Sequence, residues 1–212
     1  MVVVVPFRDT PDEAVGRDTF AEFLALEPVA DHLGVHPYVQ QNAINNPLAP
    51  HGPRTYVAGF AYQALSVPLL NYSLEKYSSY IAALGEDYVT GALLYEAYPT
   101  DKICEVPADA TAYANRGNWF NCAMMLRWKG AEHDVWVKEW IKDFVKGARA
   151  IDAEVAMANG EEVLEKTAYA NIPLPDSTPG EAFRGNLPRL IEVKRKWDPN
   201  GRFNKWHNIL AN

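Results

Sequence analysis

The run from Asn118 to Trp128 constrains the fold more than any other stretch. Its centre, Cys122-Ala123-Met124-Met125-Leu126, is apolar without a break. A strand wetted on one face alternates apolar and polar residues with a period of two. A run that is apolar throughout needs cover on both faces, as in a central strand. The rest of the chain must therefore supply neighbouring strands and something to pack on them.

Three further segments read as strands from their β-branched and aromatic content: Val2 to Phe7, Arg54 to Tyr62 and Tyr88 to Glu96. Asp9-Thr10-Pro11-Asp12 opens a helix with a capping residue, a proline and first-turn acids; Phe20, Phe23 and Leu24 carry it to about Leu26. A second helix is predicted from about Pro68 to Leu84, packing through Leu69, Leu70, Leu74, Tyr77, Tyr80 and Ile81. The longest helix, Glu132 to Met157, repeats Val137, Ile141, Phe144, Val145 and Ala148 at helical spacing and closes at Asn159-Gly160. Pro37 to Pro53 reads as loop, and Tyr98 to Arg116 as irregular chain broken at Pro99 and Pro107. Strands separated by long helices imply an α+β fold: an antiparallel sheet with helices packed on one face, then a C-terminal helix and docking tail.

Composition excludes several classes. With 212 residues and a formal net charge of −7, the chain does not suit a nucleic acid or an anionic membrane surface. Cys104 and Cys122 are too few for a disulfide framework, and their surroundings suggest buried free thiols. The N-terminus MVVVVPFRDT is apolar too briefly for a signal peptide or membrane anchor, so a cytoplasmic location is expected. His32 and His36 are four apart, but Gly34 and Pro37 argue against a helix presenting both, so no metal is expected.

Near the C-terminus, Leu187, Leu190, Ile191 and Trp197 recur on one side of a short helix that Asp198-Pro199-Asn200-Gly201 stops; Phe203 and Trp206 are expected to dock the tail. Tyr169-Ala170-Asn171, then Phe183-Arg184-Gly185-Asn186 with Arg189-Leu190, then Asp198-Pro199 and Phe203 follow in order. This series resembles the C-terminal signature of the berberine bridge enzyme-like, FAD-linked oxidases. Arg184 departs from the pattern, which has glycine there. The segment from Leu94 to Pro99, with Lys102-Ile103, Val106 to Tyr113 and Arg116, is similar to the substrate-binding domain of fungal members. By this resemblance residues 1–160 form a substrate-binding-like α+β domain, and 161–212 a berberine-bridge-like segment packed on it. In the family the sheet of that domain roofs the flavin, and the substrate lies between.

The chain has no glycine-rich strand–turn–helix fingerprint, and neither cysteine lies in the family's flavin-tether motif. The resemblance therefore implies a stand-alone derivative that uses no cofactor. It would catalyse a non-redox cyclisation or isomerisation of a small hydrophobic biosynthetic intermediate in fungal secondary metabolism. The alternatives are a fragment or subunit of an FAD-linked oxidoreductase, or a non-catalytic binder of such a metabolite. A homodimer is expected, because a sheet face that once met a flavin domain needs cover. By the same alignment Glu105 falls where some members place a catalytic acid/base. Its neighbours Ile103, Cys104, Val106 and Pro107 could draw the carboxyl against a dry wall. Tyr95 and Asp101 complete the catalytic candidates; Tyr98, Asn115, Arg116 and Asn118 are the substrate-binding ones. Each also has a plain reading: a solvated loop carboxylate, a core or rim tyrosine, a structural arginine, and an Asp101–Lys102 surface ion pair.

Overall fold

The computed structural model describes residues 3–43, 46, 50–165, 167–205 and 207–210, with Asn42 through its backbone alone. The chain divides into two compact units, residues 1–50 and 51–212.

In the first unit Asp12 caps α1 (Glu13–Thr19), its Oδ1 accepting from Ala14 N at 2.9 Å. The helix breaks at Phe20 and resumes as α2 (Ala21–Leu24), shorter than the single helix expected. Arg17 ties this region down, donating to the Leu33 carbonyl at 3.0 Å and pairing with Asp31. Two expectations fail here. Val3 to Phe7 form no strand, and Val3, Val4, Val5 and Phe7 are exposed; Val2, where the strand was expected to begin, lies outside the described residues. β-branched residues favour a pleated surface only when there is a sheet to join. The stretch expected as loop from Pro37 carries α3 (Tyr38–Ala43).

The second unit is built on a three-stranded antiparallel sheet. Strands β1 (Arg54–Tyr62), β2 (Tyr88–Tyr95) and β3 (Phe120–Trp128) lie in the order β1-β3-β2, so the unbroken apolar run is central, as its composition requires. The register sets Tyr62 opposite Phe120 and Tyr95 opposite Cys122, which gathers three strand termini at one end of the sheet. At the other end, Tyr88 pairs with Trp128 beside a bulge.

Helices α4 (Val67–Leu84) and α6 (Asp134–Ala158) cover one face. Ser66 caps α4 by accepting from Leu69 N at 3.3 Å, with Pro68 in the first turn. The core joins Phe60, Tyr62, Cys122, Met124, Leu126 and Trp128 of the sheet to Leu69, Tyr80 and Leu84 of α4 and to Val137, Ile141, Phe144, Val145 and Ala148 of α6. The buried side of α6 is the predicted one. That of α4 is rotated: Leu70 and Leu74 are exposed, and Ser73 is buried, because its hydroxyl is satisfied by the Leu69 carbonyl at 2.7 Å. Among the described residues no helix is long and apolar enough to cross a membrane.

Residues past α6 reach the second face of the sheet. Alternation points Gly59 away from the helices. A Cβ there would stand 2.4 Å from Ile172 Cδ1 and 2.9 Å from the Cys122 carbonyl oxygen, so glycine makes room for the Tyr169–Ile172 turn. Beyond it lie α7 (Pro179–Phe183), with Thr178 and Glu181 forming a reciprocal cap, and α8 (Leu187–Trp197). Trp197, expected on the packing side of α8, is 76% exposed, and Phe203, expected to dock the tail, is 83% exposed; Trp206 lies outside the described residues. The tail is tied instead by Asp198, which accepts from Arg202 N at 2.8 Å and Phe203 N at 3.0 Å and pairs with Lys194. Cys122 is buried as expected, but Cys104 is exposed.

Candidate functional site

Adjacent strand residues point to opposite faces, and this separates Tyr95 from Glu96. Tyr95 faces α4: its hydroxyl meets Ser73 Oγ and its ring packs edge-on to Tyr62, with centroids 5.2 Å apart. Burial raises its pKa, with the Cys122 thiol adding to the shift. Tyr95 is thus a core residue whose hydroxyl is already engaged. Glu96 and Asn121 belong to the second face, at the end of the sheet where β2 stops and β3 begins.

There Asn121 donates from Nδ2 to the Tyr98 hydroxyl at 3.0 Å, and the Tyr98 ring stands edge-on to Phe120 with centroids 5.8 Å apart. The Tyr113 and Tyr169 rings meet edge to face at 6.1 Å. Asn171 donates to the Tyr169 hydroxyl at 2.8 Å. Arg116 lies over the Tyr113 ring, 5.2 Å from its centroid, while donating to the Ile103 carbonyl and Thr111 Oγ1. Burial raises Tyr98, as does the nearby Glu96 charge; the Asn121 bond works the other way. Burial also raises Tyr113, with smaller contributions from Tyr98, Tyr169 and Glu96. Glu96 is open to solvent as a residue, yet partial burial of its carboxyl raises it too. The chemical result is that Tyr98 and Tyr113 are held in the protonated, donating form near one carboxylate with enhanced proton affinity.

Two buried donors back this cluster. Asn115 is 6% exposed; its Oδ1 accepts from Thr167 Oγ1 at 2.9 Å, and its Nδ2 has no partner among the described residues. Arg116 Nε is likewise buried and unpartnered. A cavity of about 350 Å³ lies alongside, lined by Gln63, Lys146, Arg149, Asp152 and Thr167 among others. Arg149 donates to the Thr167 carbonyl at 3.0 Å, and burial lowers its pKa. Asp152 receives the Gln63 backbone N–H at 3.0 Å, and burial raises it.

The remaining candidates gather elsewhere. Asp101 opens the short exposed helix α5 (Asp101–Cys104), and Glu105 closes it. The Glu105 carboxylate stands in solvent and accepts from Lys102 Nζ at 2.7 Å, so it meets no dry wall, and Lys102 pairs with Glu105 rather than with Asp101. Asn118 holds that turn, accepting from Thr100 Oγ1 at 3.0 Å. Of the sequence candidates, Tyr98, Asn115 and Arg116 join the phenol cluster. Glu96, Asn121, Tyr113 and Tyr169 were missed as site residues. Asn121, a lone amide beside the apolar run, was the available signal. A second polar residue in that strand, Arg127, is 5% exposed, and its Nε and Nη1 have no partner among the described residues.

Residues 168–210 match the family model for "Berberine and berberine like". The FAD-linked oxidoreductase pgmH of Aspergillus terreus is 35% identical over 118 residues, covering 52% of this chain and 23% of that protein. The aclacinomycin-N/aclacinomycin-A oxidase of Streptomyces galilaeus is 29% identical over 110 residues, covering 48% of this chain and 20% of that one. The crystal structure of aclacinomycin oxidoreductase shares the fold, with a TM-score of 0.55 at 21% identity, covering 91% of this chain and 40% of that one. The chain thus spans about a quarter or less of the length of these curated relatives.

Proposed function

We propose that this chain, a relative of the berberine-like, FAD-linked oxidoreductases, binds a small hydrophobic, oxygen-bearing intermediate at the tyrosine-lined end of its sheet and moves protons on it. The observation that carries the reading is the Asn121–Tyr98 hydrogen bond beside Glu96. With its oxygen already accepting from Asn121, Tyr98 is set to give its own proton to a ligand carbonyl or hydroxyl. Glu96 takes a proton from the ligand and returns it at another atom, so the ligand is isomerised or cyclised without net oxidation. Tyr113 and Tyr169 provide the aromatic wall, and Asn115 and Arg116 the spare donors. A homodimer is part of this proposal, and sedimentation of the purified protein tests it.

A second reading, oxidation, is favoured by the similarity to an FAD-linked oxidoreductase and an aclacinomycin oxidase. FAD would supply the two-electron acceptor. The described residues do not fit its pyrophosphate. Of the junctions leading from a strand into a helix, only β3 to α6 carries a glycine, Gly130. A Cβ there would meet the Glu132 carboxylate at 2.6 Å, so an acidic group fills the mouth where phosphate oxygens would need N–H donors. Arg184, at φ 48°, pairs with Glu165 where the family pattern has glycine.

The test is a visible spectrum of purified protein together with turnover of hydrophobic ketones and hydroxylated polyketides, aclacinomycin N among them. The proposal expects no stoichiometric flavin band, and turnover that falls roughly a hundred- to ten-thousand-fold in Tyr98→Phe and Glu96→Gln. A stoichiometric flavin spectrum with oxidised product would establish the second reading instead.

A further inference from the structure

At the end of the sheet away from the tyrosines, two turns meet. Asp87 closes the 3₁₀ turn Gly85–Asp87 that leads into β2; Glu132 and His133 lie in the 3₁₀ turn Ala131–His133 that leads into α6. A backbone hydrogen bond from Lys129 N to the Asp87 carbonyl, 2.8 Å, pins the turns together. Gly130, at φ 77°, lets the chain double back so that the Glu132 carboxylate lies over it. One ring nitrogen and two carboxylate oxygens, from Asp87, Glu132 and His133, come within 4.8 Å of one another, and His133 Nε2 is 3.0 Å from Asp87 Oδ2.

This spread suits a metal ion. Bonds to imidazole nitrogen and carboxylate oxygen run about 2.0–2.2 Å, so two ligands of a tetrahedral ion stand roughly 3.4 Å apart. His133 and Asp87, hydrogen-bonded at 3.0 Å, already stand within about half an ångström of that spacing. Glu132 is exposed, and an inward turn of its side chain would close the remaining gap. The neighbouring Asp134 is engaged by Arg54 and by Trp128 Nε1, and does not compete. One imidazole with two carboxylates is a donor set for a borderline transition ion, whereas Mg²⁺ and Ca²⁺ favour oxygen alone.

We propose that Asp87, Glu132 and His133 form a binding site for a divalent transition-metal ion, zinc by preference, that clips the start of β2 to the start of α6. The site is structural: it lies at the Tyr88–Trp128 end of the sheet, and the phenol cluster lies at the other end.

The test is zinc titration of chelator-stripped full-length protein, followed by calorimetry and thermal melting. Binding of one ion per chain is expected, with a saturable rise in melting temperature that equal concentrations of magnesium and calcium do not give. His133→Ala is expected to lose both effects, and Glu132→Gln to weaken binding at least about tenfold, since each removes one of three protein ligands. His51→Ala and Cys104→Ser, at candidate ligands elsewhere, are expected to bind as wild type does. Should His133→Ala fail to fold, Glu132→Gln decides alone, because its side chain is exposed. The proposal is overturned if wild-type protein shows no saturable zinc binding, or if Glu132→Gln binds zinc as tightly as wild type.

Discussion

Asn121 and Tyr98, 23 residues apart, share a hydrogen bond of 3.0 Å in which the amide donates and the phenol oxygen accepts. The bond favours the phenolate, yet burial and the Glu96 charge outweigh it, and Tyr98 stays above its ordinary value of 10.0. Removing the carboxylate charge in Glu96→Gln is therefore expected to bring the Tyr98 ionisation down toward that value, and Asn121→Leu to push it up. Ultraviolet titration against a Tyr98→Phe background reads both. The folded state holds the proton more tightly than the unfolded chain, so the contribution to stability is complete below about pH 10 and is lost as pH rises further.

Asp198 has the opposite sign. Lys194 and the Phe203 and Arg202 amides hold its carboxyl down to about 2 from 3.8. The unfolded chain therefore takes up the proton first as pH falls. The stabilisation is intact above about pH 4 and is lost between there and about 2. Asp198→Asn should abolish that acid-side slope, and amide exchange at Arg202 and Phe203 should quicken roughly tenfold, as expected when a charge-assisted bond is lost. Unchanged exchange would show that the tail is held by other contacts.

Arg127→Met is expected to stabilise the fold by about 1–3 kcal/mol, the scale of burying an unsatisfied polar group. Denaturant unfolding measures it. A loss of stability would mean that the guanidinium is satisfied in solution.

Gly59→Ala should destabilise by about 1–3 kcal/mol, the usual cost of overpacking. Ile172 could turn aside, but the Cys122 carbonyl 2.9 Å from the new methyl is backbone and cannot. Because the Tyr169–Ile172 turn moves with it, turnover should fall as well; a neutral effect on both would detach this turn from the site.

Glu105→Gln removes an exposed charge paired, among the described residues, with Lys102 three residues earlier. Such pairs contribute about 0–1 kcal/mol. Melting and turnover near wild type are expected, against the large loss foreseen for Glu96→Gln. A loss in Glu105→Gln of the size expected for Glu96→Gln would move the acid/base role to the α5 turn.

Much of the fold was legible because it rests on local periodicity. The apolar side of α6 and the central place of β3 follow from spacing alone. The first segment was misread because Val3 to Phe7 have strand propensity but no pairing partner, and pairing is not local. Asn115 and Arg116 were reachable through the motif they sit in. Glu96, Tyr113 and Tyr169 were not recognised, because phenols 15 and 71 residues from Tyr98 become neighbours only after the chain folds back over the sheet.

The sequence by itself determined the three strands, α4, α6, α8 and the kinship of the C-terminal segment, since these are carried by residues close together in the chain; it read the stretch that carries α5 as irregular and did not find α7. Only the tertiary structure decided which face of the sheet carries the proposed site. Tyr95 and Glu96 are neighbours, and a strand's period of two guarantees that they point apart without saying which points inward. Packing of α4 and α6 against Phe60, Met124 and Leu126 settles it: Tyr95 goes to the core, and Glu96 is left on the face with Asn121.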